Sequence, residues 1–222
     1  MIFQVNAIAK SYKRKQVLKD VAFQADNGCC IGILGGNGAG KSTLLSILAG
    51  IQKPNAGTFL YNGSDLLKDT ALRSAVVGYV PQGTPLIPEL TAKDNLLLWY
   101  DRKTMNKELE QGLLKLLGIG DFLNVPVKKM SGGMKKRLSI GCAVAGRPPV
   151  LLLDEPTAAL DLVCKRDIAA YLSAYKKAGG IIIMTTHDVS ELSLCDACYI
   201  MKDGTLIPYT YDGDVEALIG RL

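Results

Sequence analysis

One histidine and one tryptophan stand in a chain of 222 residues, and no run of about 18 uninterrupted apolar residues is present. The missing apolar run excludes a bilayer-spanning helix. The N-terminal stretch MIFQVNAIAKSYKRKQ puts its charges after a short apolar run, the reverse of a secretory signal, so the chain is expected in the cytosol. A lone histidine also bears on metals. The six cysteines include one CxxC, Cys195 to Cys198, but a zinc site needs a second pair or histidines at suitable spacing. Cys29 and Cys30 are adjacent and His187 stands alone, so the thiols read as small, reduced core residues. Excess charge is scarce too: 26 Lys and Arg face 21 Asp and Glu, a net charge of +5 without a basic tail or run. That balance does not make a nucleic-acid footprint, and none is expected. Hydrophobic residues make up 48% of the chain, which excludes general disorder and permits a sizeable core without staples.

What is present alternates. Short apolar, β-branched runs at Cys29–Leu34, Val76–Val80, Val150–Leu153 and Ile181–Thr186 read as buried strands. Between them, Lys41–Ala49 and Asp161–Ala178 carry apolar residues at helical spacing, and each meets glycine at its end. Continuous apolar strands alternating with helices predict a parallel sheet covered on both faces, an α/β fold. The first 25 residues and residues 57–61 instead alternate apolar with polar, which predicts antiparallel strands flanking that core. Residues 85–146 form a helical middle, with helices expected over Thr91–Tyr100, Asn106–Leu117 and Gly132–Ala145. Tyr199–Met201 and Thr205–Pro208 suggest a hairpin around Asp203-Gly204. There is no internal repeat, low-complexity tract or linker, so a single domain is expected.

The strongest chemical signal is Gly35-Gly36-Asn37-Gly38-Ala39-Gly40-Lys41-Ser42, which fits G-x-x-x-x-G-K-[ST] between an apolar strand and a helix. Glycines let successive backbone N–H groups converge as an anion nest, and the following helix aims its positive end at the same point. Lys41 suits β- and γ-phosphates, and the Ser42 hydroxyl suits Mg²⁺. A second signal is VLLLDEP, an apolar strand ending in Asp154-Glu155. In an open parallel sheet, ligands sit at the carboxyl ends of strands. That puts Asp154 near a metal and Glu155 near an attacking water, the groups that triphosphate hydrolysis requires.

With these motifs in order and spacing, the chain resembles the ATP-binding cassette family, the nucleotide-binding subunits of ABC transporters. The resemblance covers the whole chain. It implies the P-loop NTPase parallel core with an antiparallel β subdomain (about 1–84 and 147–222) and a helical subdomain (about 85–146). ATP and Mg²⁺ are the implied ligands. Tyr12, 23 residues before Gly35, matches the aromatic that stacks on adenine; alone it is an ordinary strand tyrosine. The phosphate-binding set extends through Gly35, Gly36, Asn37, Gly38, Ala39, Gly40, Lys41, Ser42 and Thr43. Gln82, in YVPQG, matches the Q-loop glutamine, which touches Mg²⁺ or water and, with Ser42 and Asp154, organises the metal. Met130-Ser131-Gly132-Gly133-Met134 matches the signature LSGGQ with Met at both ends. Met130 conserves volume, whereas Met134 removes an amide. Ser131, Gly132 and Gly133 retain the groups that can hold a γ-phosphate, although serine followed by glycines is also an ordinary helix cap. Ala159-Leu160-Asp161 resembles the D-loop. His187, at a strand's carboxyl end before Asp188, matches the switch histidine that senses γ-phosphate.

The resemblance further implies a head-to-tail dimer. Each ATP would lie between one subunit's phosphate loop and the other's Ser131-Gly132-Gly133, with a second copy or a paralogue as partner. The segment from Leu86 to Leu96 resembles the part that receives a coupling helix from a polytopic membrane permease, with Leu86, Ile87, Leu90 and Trp99 as anchors or plain core. The signature's form also resembles that of single-cassette subunits with separate, ABC-2 (exporter-like) membrane partners. The implied location is cytoplasmic, at the inner face of the membrane through that partner. Two alternatives stand beside transport. A soluble ABC-type ATPase acting on ribosomes or DNA usually carries two cassettes or long coiled-coil inserts. A P-loop kinase leaves Gln82, Ser131-Gly132-Gly133 and Asp161 without a role.

Overall fold

A computed structural model describes residues 1–158 and 160–222. Ala159, of the Ala159-Leu160-Asp161 stretch, lies outside the described residues. The alternating N-terminal pattern folds as expected into the hairpin β1 (Ile2–Tyr12) and β2 (Lys15–Asp26), which buries Phe3, Val5, Ile8, Leu18 and Val21 on one face. Next come β3 (Cys30–Leu34), α1 (Lys41–Leu48), β4 (Ala56–Tyr61) and β5 (Ser64–Asp65). One antiparallel sheet has the order β2-β1-β4-β5. A short helix, α2 (Thr70–Val76), follows, capped by Asp69 accepting from Leu72 N and packing Leu72 and Val76 on the core. It takes Val76, so the expected strand begins one residue later as β6 (Val77–Val80).

The helical middle is more broken than its periodicity suggests. α3 (Ala92–Leu97) starts at Thr91, which forms a capping box with Asp94. The helix expected over Asn106–Leu117 is two, α4 (Arg102–Gln111) and α5 (Leu113–Leu116). Gly112 is extended between them, and the buried Glu108 carboxylate accepts from Leu113 N at 2.8 Å. α6 (Gly132–Ala143) begins at the Ser131 cap. No helix among the described residues is long and apolar enough to cross a membrane.

The remaining elements are β7 (Val150–Asp154), α7 (Leu162–Lys177), β8 (Ile181–Thr185), β9 (Ala197–Lys202), β10 (Thr205–Tyr209) and α8 (Val215–Ile219). The second sheet has the order β10-β9-β3-β8-β7-β6, parallel except for β10. The C-terminal hairpin turns at Asp203 (φ 50) and Gly204 (φ 80), the two positive φ values of a tight hairpin turn. Its first strand also pairs with β3, so the hairpin widens the core sheet.

The parallel strands are apolar on both faces because both faces are covered. Ile31, Ile33, Val150, Leu152, Ile181 and Ile183 pack with α1 and the antiparallel sheet. Leu151, Leu153, Ile182 and Met184 pack with α6, α7 and the helical middle. Leu152 is fully buried at the centre. Leu152→Ala is expected to destabilise the fold by about 2–5 kcal/mol, read from urea unfolding; a loss below about 0.5 kcal/mol, ordinary for a surface site, would contradict this packing.

Candidate functional site

The strand order brings the sequence signals together. β8 lies between β3 and β7, and β6 flanks β7. All four run parallel, so their carboxyl ends and the segments that follow converge at one edge. After β3 comes the phosphate loop. Gly35 has φ 153, and a Cβ there would stand 2.4 Å from the Met201 carbonyl oxygen. Gly40 has φ 114 and packs on the Val17 carbonyl oxygen at 2.9 Å by the same measure. Side chains are excluded at both positions. α1 has no side-chain cap at its start, so its first N–H groups remain available to an anion. Gly36, Asn37, Gly38 and Ala39 line a cavity of about 330 Å³ with Lys15 and Gln16 of β2.

Lys41 is buried, and its Nζ donates to the carbonyl oxygens of Gly35 (2.6 Å) and Gly36 (3.2 Å). Burial lowers its pKa, and the Glu155 and Asp154 charges oppose that shift. His187 Nε2 lies 3.1 Å from Lys41 Nζ and 3.1 Å from Glu155 Oε1. One ring nitrogen cannot serve both in the same state. Unprotonated, Nε2 accepts from the lysine; protonated, it donates to the carboxylate.

Asp154 ends β7, almost fully buried, and its Oδ1 accepts from Thr185 Oγ1 at 2.6 Å. Glu155, the next residue, has φ 49, a left-handed conformation costing roughly 1–2 kcal/mol for a non-glycine residue. Its N–H is held by Thr185 through the hydroxyl oxygen (3.1 Å) and the carbonyl oxygen (3.2 Å). The turn aims Glu155 so that Oε2 accepts from Gln82 Nε2 at 3.0 Å while Oε1 faces His187. Thus Gln82, Glu155, His187 and Lys41 form one connected chain. Ser42 is exposed at the start of α1 with Thr43 half-buried behind it. Ser42, Gln82 and Asp154 offer hydroxyl, amide and carboxylate oxygens, a donor set that fits a hard cation such as Mg²⁺.

The other candidates stand apart from this chain. Tyr12 is exposed at the end of β1, opposite Lys15, and its hydroxyl donates to Gln52. Ser131 and Gly132 are exposed, and Ser131 Oγ accepts from Met134 N at 3.2 Å, so the serine also makes the ordinary helix cap that stood as its alternative reading. A Cβ on Gly133 would stand 2.4 Å from Cys164 Sγ, which fixes this turn against the start of α7. Asp161 caps α7, accepting from Cys164 N at 2.8 Å, and these donors lower its pKa. Ile87 and Trp99 are exposed, whereas Leu86 and Leu90 are half-buried. The thiols of Cys30 and Cys195 lie 3.9 Å apart, and a Cβ on Gly32 would meet both Cys195 Sγ (2.7 Å) and Cys198 Sγ (3.6 Å); the neighbouring Cys195 thiol and burial raise the Cys198 pKa far above the usual thiol range.

Several contributors carry no motif that sequence reading used. Thr185 is one, seen earlier only as a strand residue. Thr157 Oγ1 donates to the buried Glu191 at 2.6 Å, and burial raises that carboxyl's pKa. Lys165 pairs with Asp188 and, with Ser190, holds the Asp188 carboxyl down at about 2. Thr157, Lys165, Asp188 and Glu191 line, with Glu155 and His187, a cavity of about 340 Å³. A larger cavity, about 780 Å³, opens at the amino ends of β7 and β8 beside Pro149 and Gly180 and includes none of the chain from Gln82 to Lys41.

The model of the ABC transporter family matches residues 18–158. The chain belongs to the ABC transporter family. It is 31% identical to the linearmycin resistance ATP-binding protein LnrL of Bacillus subtilis, over 99% of this chain and 72% of that protein. It is 35% identical to the Nod factor export ATP-binding protein I of Sinorhizobium fredii, over 97% of this chain and 64% of that one. With the spermidine/putrescine import ATP-binding protein PotA of Spiroplasma citri it shares 36% identity, over 92% of this chain and 60% of the relative. Among solved structures, a dimeric ATP-binding cassette in a post-hydrolysis state, bound to ADP and Pi, matches with a TM-score of 0.84 and 27% identity, covering 96% of this chain and 100% of that one. A nucleotide-free cassette matches with a TM-score of 0.86 at 22% identity, a likeness of fold alone. The fold is therefore that of the ABC ATPase cassette, as the motifs implied.

Thr185 provides a direct check on the site's construction. Thr185→Val leaves Asp154 Oδ1 buried without its donor, and is expected to cost about 1–3 kcal/mol in urea unfolding. Thr185→Ser keeps the hydroxyl and is expected to cost less; equal losses in the two variants would sink this account of the turn.

Proposed function

We propose that this chain is the ATP-binding and ATP-hydrolysing subunit of an ABC transporter, driving transport through a separate membrane-spanning partner. The observation that carries the reading is the chain of polar contacts from Gln82 through Glu155 and His187 to Lys41 at the head of the phosphate loop. A carboxylate aimed by an amide, beside a cation over an anion nest, suits attack of water on a terminal phosphate.

In this reading Gly35 to Thr43 wrap the phosphates, and Lys41 leaves its loop carbonyls for phosphate oxygens. Tyr12, across the hairpin from Lys15, offers its exposed ring to adenine. Ser42, Gln82 and Asp154 would hold Mg²⁺, which when bound neutralises phosphate charge. Glu155 orients or deprotonates the water. His187 exchanges its lysine and carboxylate partners for a γ-phosphate oxygen. Ser131, Gly132, Gly133 and Asp161 face a second subunit, a copy or a paralogue, and grip its nucleotide. Met134 contributes no side-chain donor there. The core at 1–84 and 147–222 binds ATP, and the helical part at 85–146 carries the exposed Ile87, Leu98 and Trp99 towards a permease at the cytoplasmic face of the membrane. The transport names of the relatives, which include both export and import, favour this reading over a ribosome- or DNA-directed ATPase.

The test is Glu155→Gln. It is expected to bind ATP as the parent does and to lower kcat by about 10²–10⁴-fold, the range of a lost general base. It should also migrate as a dimer in size exclusion with ATP, where hydrolysis no longer reopens the pair. Equal turnover by parent and variant would refute the assignment of Glu155.

A further inference from the structure

Lys136 is 5% exposed on α6, four residues past Gly132. A buried ammonium is costly unless its donors are satisfied, and burial lowers its pKa here. Among the described residues Lys136 forms no ion pair within 4.0 Å. Its Nζ donates instead to two consecutive backbone carbonyls, Pro81 O at 3.1 Å and Gln82 O at 3.4 Å. Those carbonyls belong to the segment leaving β6, past the last residue that pairs with β7. The side chain of the same Gln82, exposed on its other side, donates to Glu155. A continuous path therefore runs from Glu155 through the side chain and backbone of Gln82 into α6, whose first turn is Ser131 to Gly133.

We propose that Lys136 is a positioning residue that straps the Gln82 segment to α6, so that the amide aimed at Glu155 and the Ser131-Gly132-Gly133 turn move as one body. The proposal deepens the reading of Gln82 and Glu155 given above and rests on it for its catalytic consequence. The physical reason is economy of partners. Pairing with β7 has ended at Val80, so these carbonyls have no ladder to join. An exposed glutamine on such a segment would sample many rotamers and lose its aim. A single buried lysine meeting both carbonyls holds the backbone from beneath.

The experiment compares Lys136→Met, which keeps the stem and removes the donors, with Lys136→Arg and Lys136→Gln, which keep donors. Two measurements are made on the full chain: steady-state ATPase, and backbone hydrogen exchange of the nucleotide-free protein. Exchange over residues 82–87 is expected to rise in Lys136→Met and to stay near the parent's in Lys136→Arg. Turnover by Lys136→Met is expected to fall by on the order of tenfold or more, with KM for ATP within about threefold, as for a misaimed group rather than lost binding. In a Gln82→Ala background the same substitution should cost little further, because the two act through one contact. Unchanged exchange over 82–87, or the same proportional loss of turnover in both backgrounds, would overturn the strap. Where Lys136→Met does not fold, Lys136→Gln, whose shorter neutral amide reaches the two carbonyls less well, is expected to raise exchange over 82–87 by a smaller amount, and exchange there equal to the parent's would overturn the strap. A parent without turnover would refute the reading of Glu155 and leave the exchange result to decide the strap by itself.

Discussion

Strand β8 separates β3 from β7, and the site depends on that order. The phosphate loop leaves β3, the carboxylates end β7, and neither strand touches the other. Thr185, at the end of β8, spans the gap: its hydroxyl donates to Asp154 and accepts from Glu155 N, while its carbonyl accepts from the same N–H. The parallel register sets Asp154 against Thr185, so the hydroxyl meets the carboxylate without distorting either strand. Glu155 can then occupy a left-handed conformation that an isolated glutamate avoids, because the neighbouring strand over-determines it.

On this frame the charges are arranged to be incomplete. Lys41 is buried against carbonyl oxygens, partners weaker than a phosphate. His187 stands between a cation and a carboxylate and satisfies one at a time. Glu155 uses one oxygen for Gln82 and turns the other to the histidine. In a site of reduced dielectric, such groups respond strongly to an arriving anion. The same economy recurs in Lys136, where two carbonyls stand in for a counter-ion.

Much of this was legible along the chain. The apolar runs at 29–34, 150–153 and 181–186 were read as strands within a residue or two, because strands buried on both faces admit little but apolar residues. The phosphate loop was legible because a close backbone approach admits only glycine at Gly35 and Gly40. Less was visible where local pattern and tertiary demand differ. α2 offers only the pair Leu72 and Val76 to the core, too short a pattern to mark a helix, and Gly112 splits a helix whose periodicity runs on through it. Thr185, Thr157, Glu191 and Lys136 meet polar partners from 31 to 55 residues away along the chain, and nothing in their own spacing marks them.

The chain by itself determined the kinds of group available: a glycine-rich turn with its lysine, paired carboxylates after an apolar strand, a single histidine, and a serine-glycine helix start. These follow from local chemistry, since backbone conformation and side-chain donors are properties of adjacent residues. Only the tertiary structure decided which of them meet. Sheet order and register are settled by packing between segments 31 to 146 residues apart, as Asp154–Thr185 and Lys41–His187 show, and a hydrogen bond of about 3 Å leaves little room for error in that packing. So the sequence named Gln82, Glu155, His187 and Lys41 separately, and the fold joined them into one chain of contacts.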